Sequence, residues 1–132
     1  MKRIFSRIMP LVVALTLSLP LMAEEAVREY PILGNIEFAE IIKDKNTQLV
    51  DVRTPAEFNA GYIPGAINLN IRNVEQFESG VAKLDKKKTV AVYCKKGSRS
   101  AMAAKKLTEM GYKVVELPTG FDNWDGPVAK NE

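Results

Sequence analysis

The chain is 132 residues long, with 46% hydrophobic and 27% charged side chains, which is the size and composition of one ordinary globular domain. Lys2, Arg3 and Arg7 precede the first acidic residue, and residues 24–132 carry equal numbers of basic and acidic groups, so the net charge of +3 does not imply nucleic-acid binding. There is no histidine and one cysteine, Cys94, which excludes Ser-His-Asp and Cys-His catalytic sites, histidine or cysteine-cluster metal sites and an intrachain disulfide.

The first 23 residues have the layout of a secretory signal peptide. Three basic residues are followed by the uncharged, apolar segment 8–22 and then by Ala23, which precedes two glutamates. We therefore predict cleavage after Ala23 and export to the periplasm, with no membrane association once the signal is removed. The alternative is an uncleaved anchor, but segment 8–22 is interrupted by Pro10 and Pro20 and falls short of the ~20 apolar residues that span a bilayer.

An extended lead-in is predicted over residues 24–34, and the folded domain over residues 35–132. Asn35 is typical of a helix N-cap, and a helix is predicted over residues 36–44. Its core-facing side chains follow helical spacing: Phe38, Ile41 and Ile42.

The apolar segment 49–52 predicts a buried strand, which is followed by a strong helix start. Thr54 is suited to the N-cap, Pro55 to the first helical position, and Glu57 to closing a capping box. This helix has to be short, because Gly61 follows it.

Strands and helices continue to alternate along the rest of the chain. Strands are predicted over residues 66–69, 89–93 and 114–117, helices over residues 74–84 and 100–110, and a last helical turn over residues 120–124. Val74, Phe77, Val81 and Leu84 are expected to form the buried stripe of the first of these helices, and Gly111 to end the second. The alternation predicts an α/β fold, with a central parallel sheet of about five short strands and helices on both faces.

Cys94 lies where the clearest strand ends and a helix is about to begin, at the edge of a parallel sheet where ligands usually bind. Gly97 allows the intervening loop to curl so that its N–H groups form an anion-binding nest, and the helix near Ser100 adds its positive end. The loop also carries three cations, Lys95, Lys96 and Arg99. These features favour the thiolate over the thiol and suit an anionic substrate. The alternative is a buried, inert core thiol.

Residues 49–128 resemble a rhodanese-type sulfurtransferase domain. The first signature is Asp51-Val52-Arg53-Thr54-Pro55-Ala56-Glu57-Phe58, followed by Gly61-Tyr62-Ile63-Pro64-Gly65-Ala66-Ile67-Asn68. The second is Val92-Tyr93-Cys94 with the loop that ends at Arg99, and the third runs from Val115 to Gly120 with Trp124. Two positions depart from the pattern. Tyr62 stands where the family usually has histidine, and Thr119 where the first of two glycines is common, so Thr119 is expected to alter either the wall of the site or a nearby turn.

The resemblance implies that the Cys94 thiolate takes sulfane sulfur from thiosulfate or a related anionic donor and carries it as a persulfide to cyanide or a thiol acceptor. It implies that the loop N–H groups from Lys95 to Ser100 hold the persulfide, and that Lys96 lies nearest the donor's sulfonate oxygens. No cofactor or metal is implied. Ser98 and Ser100 are candidates to donate hydrogen bonds to the sulfur.

Arg53 has two interpretations: it faces the pocket and binds substrate, or it forms an ion pair with Glu57 or Asp51. Two other functions are alternatives for the whole domain. A related phosphatase is disfavoured, because its loop has the pattern Cys-x5-Arg whereas this chain has Cys94-x4-Arg99. A polysulfide or persulfide carrier that serves a partner protein is the main alternative.

Overall fold

The computed structural model describes residues 29–131. The predicted signal segment 1–23 and the first part of the predicted lead-in lie outside these residues. In chain order the helices and strands are α1 Asn35–Ile41, β1 Thr47–Asp51, α2 Pro55–Ala60, β2 Ile67–Asn68, α3 Val74–Val81, β3 Thr89–Tyr93, α4 Ser98–Glu109 and β4 Val114–Glu116, followed by a 3-10 turn over Phe121–Asn123.

The sheet is parallel throughout, in the order β2-β1-β3-β4. The α/β prediction is confirmed, but the expectation of about five strands is wrong for the described residues, which contain four. A fifth position beyond β4 is occupied by a single bridge between Ile32 and Glu116. The bridge does not extend, because Pro31 on one side has no N–H to donate and α1 begins at Asn35 on the other.

Helices cover both faces, as predicted. Successive strand residues point to opposite faces, so Val90 and Val92 pack with α3 and α4, whereas Ala91 and Tyr93 pack with Phe38 of α1. The predicted stripe on α3 is correct at Phe77 and Val81 and, just after the helix, at Leu84, all buried. It is wrong at Val74, which is 56% exposed, because this first residue of α3 lies beyond the edge of the core.

Two helices begin earlier than predicted. α1 is capped by Gly34, whose N–H donates to the Glu37 carboxylate at 3.1 Å, while the Asn35 side chain donates to the Asn123 carbonyl at 2.7 Å. α4 begins at Ser98, two residues before the expected start, because the Gly97 carbonyl already accepts from the Ala101 N–H at 3.0 Å. The second shift brings the N-terminus of a 12-residue helix against Cys94.

Candidate active site

Cys94 is the first residue after β3 and is only 1% exposed. Its side chain contacts the core, but its sulfur has two polar neighbours. The Gly97 N–H donates to Sγ at 3.1 Å, and the thiol lies 3.4 Å from Ser100 Oγ. The sulfur is therefore at the boundary between the hydrophobic core and a polar loop.

Several backbone amide groups of the loop and helix start next to this sulfur have no partner among residues 29–131. The backbone N–H groups of five neighbouring residues, Lys95, Lys96, Ser98, Arg99 and Ser100, donate to no group within residues 29–131. Three of them belong to the first turn of α4, where a helix leaves its N–H groups free and carries a partial positive charge. With the Gly97 N–H already on Sγ, the loop and helix end form a cradle for an anion attached to this sulfur.

Gly97 makes this loop possible. Its φ of +110° lies in the left-handed region, and a Cβ at this position would clash with the Pro118 carbonyl oxygen. Both the backbone conformation and the close approach of Pro118 therefore require glycine.

We predict that Gly97→Ala greatly lowers the reactivity of Cys94, because the loop has to shift and its N–H moves away from Sγ. The rate of Cys94 alkylation by iodoacetamide at pH 7 should fall about tenfold or more, since one charge-assisted hydrogen bond to the thiolate is lost. Gly65→Ala is the matched control, because Gly65 also has positive φ (+88°) but a Cβ there meets nothing within 4 Å. Equal alkylation rates in the two variants would contradict the prediction.

The segment after β4 supports the loop from behind. The Phe121 N–H donates to the Cys94 carbonyl at 2.8 Å, and the Asp122 N–H donates to the Lys95 carbonyl at 3.1 Å. Gly120 has a φ of +74°, and a Cβ there would clash with the Lys95 backbone. Thr119 is exposed and accepts a hydrogen bond from Asn123 through its carbonyl, so this departure from the family pattern belongs to a turn.

The other departure, Tyr62, is held by structural contacts. Its ring stacks on Phe58 with centroids 4.1 Å apart, its backbone pairs with Ala129, and its hydroxyl donates to Asn131 at 3.0 Å. These contacts anchor the C-terminal segment and involve no residue of the Cys94 loop.

The two loop lysines differ in their surroundings. Both are exposed, but the Lys95 ammonium pairs with the Asp122 carboxylate at 2.9 Å. The Lys96 side chain makes no hydrogen bond or ion pair with any residue that the structure describes. Lys96 is thus the lysine available to an incoming anion.

Arg99 is held by an acidic partner on a different element. Its guanidinium donates to both carboxylate oxygens of Glu57, at 2.7 and 2.9 Å, which ties the first turn of α4 to α2. The hydrogen bond with Glu57 and its charge raise the pKa of Arg99 against the opposing effect of burial, and Cys94 and Asp51 contribute in the same direction when they are ionised. Substrate binding by Arg99 stays a prediction; in the structure two of its guanidinium nitrogens donate to Glu57.

Glu57 makes folding stability depend on pH in acid. Its hydrogen bond with Arg99 lowers its pKa to about 2, from 4.5 in the unfolded chain. Because the folded-state pKa is the lower one, this contribution is fully present above about pH 4.5 and is lost as the pH falls toward 2. We predict that the free energy of unfolding in urea falls between pH 5 and pH 2.5 by about 1–2 kcal/mol more in the wild type than in Glu57→Gln. Parallel pH profiles for the two proteins would contradict this.

Of the two interpretations of Arg53, the structure shows the ion pair, with Asp51 as the partner. Its guanidinium donates to the fully buried Asp51 carboxylate at 2.6–3.0 Å and to the Gly61 carbonyl at 2.6 Å. The guanidinium carbon also lies 4.3 Å from the centre of the Phe121 ring. Burial opposes the charged form, but the hydrogen bond and charge of Asp51 outweigh it and raise the pKa of Arg53. Arg53 also lines a cavity beside the loop, so it shapes the wall while its donors are occupied.

That cavity has a volume of about 270 Å³. It is lined by Arg53, Glu57, Ala60, Gly61, Lys95, Phe121 and Asp122. Lys95 of the loop is among the residues that form its walls, and Cys94 is not.

Ser98 is exposed at the start of α4, whereas Ser100 is fully buried. Ser100 Oγ lies 3.1 Å from the Gly97 carbonyl oxygen and 2.6 Å from Glu116 Oε2. Glu116, at the end of β4, is also fully buried, and sequence reasoning did not single it out. A signal was present, since an acidic residue inside a predicted buried strand is unusual without a partner.

Two further observations concern the described part of the chain. Residues 29–131 hold no cluster of three or more cysteine and acidic side chains suited to a metal ion. No helix there has both the length and the apolar character required to cross a membrane.

Comparison with known proteins identifies relatives over most of the described residues. Residues 35–126 match the family described as "Rhodanese-like domain". The chain is 31% identical over 96 residues to thiosulfate sulfurtransferase GlpE of Coxiella burnetii, covering 72% of this chain and 87% of that protein. It is 37% identical over 81 residues to thiosulfate sulfurtransferase PspE of Escherichia coli, covering 61% of this chain and 77% of that protein.

A second kind of relative is much longer. The chain is 33% identical over 94 residues to a tRNA uridine(34) hydroxylase of Pelagibacter ubique and spans 31% of its length, while the match covers 70% of this chain. Among solved structures, "rhodanese with anions from E. coli" is 36% identical with a TM-score of 0.54, covering 64% of this chain and 98% of that one.

Proposed function

The chain belongs to the rhodanese-like domain family, and on that premise we propose that it transfers sulfane sulfur from thiosulfate, or a related anionic donor, through a persulfide on Cys94. The acceptor is cyanide or a thiol. The family and its relatives support a sulfurtransferase of the rhodanese type in general. The observation that carries the proposal for this chain is the set of N–H groups in the Cys94 loop and at the start of α4 that have no partner in the described part of the chain, with the Gly97 N–H already on Sγ.

In the first step, the Cys94 thiolate attacks the sulfane sulfur of thiosulfate. A new S–S bond forms to Sγ, the S–S bond of thiosulfate breaks, and sulfite leaves with the bonding electron pair. Sulfite is already a stable anion and needs no proton on departure, so the chemistry requires a nucleophile and anion binding but no general acid. A site without histidine is sufficient for this.

The persulfide carries its charge on the outer sulfur. The N–H groups at the start of α4 and in the preceding loop are suited to this charge, as is the positive end of the helix. Cyanide or a thiolate then attacks the outer sulfur, and the Cys94–sulfur bond breaks with its electron pair returning to Sγ. The products are thiocyanate or an acceptor persulfide, together with the original thiolate.

The donor has to make direct contact with the sulfur of a residue that is only 1% exposed. We propose that the loop opens locally before the first step, because bond formation requires this contact. Lys96 is exposed in this loop and offers a positive charge to the approaching donor. One solved relative is described as "rhodanese with anions from E. coli", which supports the proposal that this chain binds an anionic donor.

The test is an assay of the purified chain with thiosulfate and cyanide, together with mass spectrometry of the protein after thiosulfate alone. We expect thiocyanate and sulfite in equal amounts, and an added mass of about 32 Da on Cys94 when cyanide is omitted. The persulfide adduct without thiocyanate turnover would instead favour the carrier function. Absence of both products with every sulfane donor tried would contradict sulfur transfer altogether.

Lys96 should contribute to donor binding more than to the chemical step. We predict that Lys96→Gln raises the KM for thiosulfate about two- to fivefold at low salt and leaves kcat nearly unchanged, because an exposed charge contributes little and is screened. Lys87→Gln, in the exposed turn before β3, is the matched control for loss of one positive charge. If both variants raise the KM equally, Lys96 has no specific role.

We also propose that the protein acts after export to the periplasm, on the basis of residues 1–23. Mass spectrometry of the protein from a periplasmic fraction should give a mature chain that begins at Glu24. A full-length chain that remains with the membrane fraction would contradict export with cleavage.

A further inference from the structure

Ser100 has one hydroxyl proton and three neighbours that can accept it: the Glu116 carboxylate, the Gly97 carbonyl oxygen and, when it is ionised, the Cys94 sulfur. A serine hydroxyl donates one hydrogen bond and accepts up to two. The 2.6 Å separation from Glu116 Oε2 is typical of a donor bonded to a carboxylate, so the proton of Ser100 points to Glu116. The lone pairs of Ser100 Oγ therefore face the Cys94 thiol, which donates its own proton at 3.4 Å.

This arrangement fits the thiol and opposes the thiolate. When Cys94 loses its proton, the negative sulfur faces the oxygen lone pairs of Ser100. The contact becomes favourable only if the Ser100 proton turns from Glu116 to the sulfur, and Glu116 then loses a strong hydrogen bond in a fully buried position. Ionisation of Cys94 and retention of the Ser100–Glu116 hydrogen bond are thus in competition.

We propose that Glu116 is a positioning residue that, through Ser100, sets the pH range in which Cys94 is reactive. By holding the Ser100 proton it leaves only the lone pairs of Ser100 Oγ toward the Cys94 sulfur, which opposes loss of the thiol proton. In the persulfide, the charge lies on the outer sulfur, one bond farther from Ser100, where the loop N–H groups that have no partner within residues 29–131 can bind it. The Ser100–Glu116 hydrogen bond therefore favours the Cys94 persulfide over the Cys94 thiolate. This inference rests on the proposed function for the identity of the nucleophile only.

The charged groups around the site are kept constant in the test. Arg99 on α4 interacts electrostatically with Cys94 and pairs with Glu57 on α2, Arg53 pairs with Asp51 at the end of β1, and Lys95 and Lys96 lie in the loop.

The test measures the rate of Cys94 alkylation by iodoacetamide against pH in four proteins: the wild type, Glu116→Gln, Ser100→Ala and the double variant. The amide of glutamine holds the Ser100 proton less strongly than a carboxylate, so the midpoint of the profile should move to lower pH by about one unit in Glu116→Gln. In the Ser100→Ala background, the same substitution should produce almost no shift, because the connecting hydroxyl is absent.

Three results would overturn the inference. They are an unchanged midpoint in folded Glu116→Gln, a shift to higher pH, and an equal shift with and without Ser100, which would mean that Glu116 acts on the sulfur directly. Alkylation needs no sulfur donor, so these outcomes do not depend on whether the protein transfers sulfur.

If Glu116→Gln does not fold, the wild type still provides a test. The carbon-13 resonance of the Glu116 carboxyl group should change with the same midpoint as Cys94 alkylation, since the Ser100 proton leaves Glu116 as the thiolate forms. The change should be absent in Cys94→Ser. A Glu116 resonance that stays constant through this midpoint would refute the coupling.

Discussion

Replacement of Cys94 by serine is expected to reduce thiocyanate formation from thiosulfate and cyanide to the uncatalysed rate, with the fold retained. The mechanism has one nucleophile, and a serine hydroxyl without an adjacent base is too weak a nucleophile to replace a thiolate. Serine has nearly the same shape, and its oxygen can accept the Gly97 N–H and bond Ser100 as the sulfur does. The variant therefore separates the chemistry from the structure.

The measurement combines the thiocyanate assay with circular dichroism and urea unfolding of the same samples. The mass spectrum after thiosulfate should show no adduct of about 32 Da in Cys94→Ser. Thiocyanate production equal to that of the wild type would disprove the assignment of Cys94. If Cys94→Ser loses both its activity and its folded signal, alkylation of the wild type provides the test instead. Turnover should then fall in proportion to the fraction of Cys94 that is alkylated.

The second large effect concerns stability, at the ion pair of Arg53 with Asp51. Arg53→Met removes the positive partner of a carboxylate that is fully buried, and the replacement offers it no hydrogen bond. A buried charge left without its partner costs about 3–5 kcal/mol. Because folded domains are stable by only about 5–15 kcal/mol, this substitution should remove a large share of the total.

Urea unfolding at pH 7 measures this loss directly. The double variant Asp51→Asn with Arg53→Met should recover much of the stability, because it removes the buried negative charge together with its partner and keeps an oxygen for the Arg53 backbone N–H. A loss below about 1 kcal/mol in the single variant, or an additive loss in the double variant, would contradict this account of the pair.

Local patterns in the sequence were sufficient to predict the strands, most helices and the loop. Thr54 caps α2 with Glu57 three residues later, as predicted, because a capping box depends on residues within one turn. β3 has the predicted bounds, because its run of apolar and β-branched residues is limited at one end by a charged turn and at the other by a basic loop. Gly97 was expected to curl the loop, and its positive φ confirms this.

Predictions that required a partner distant in sequence were less complete. Glu57, which closes the capping box of α2, also binds Arg99, 42 positions away. The sequence allowed either Glu57 or Asp51 as the partner of Arg53, and the structure shows Asp51. An ion pair of this kind depends on which loops meet at the sheet edge, which the hydrophobic pattern does not specify.

The sequence alone determined the alternation of strands and helices, the identity of the single thiol and its place at the end of a strand before a basic, glycine-containing loop. These features follow from side-chain periodicity and backbone preferences, which act over a few residues. Only the tertiary structure decided that Glu57 binds Arg99, that Asp122 pairs with Lys95 and not with Lys96, and that Glu116 from β4 contacts Ser100. Each of these contacts joins segments that are brought together by the packing of the whole core, so no local pattern encodes it.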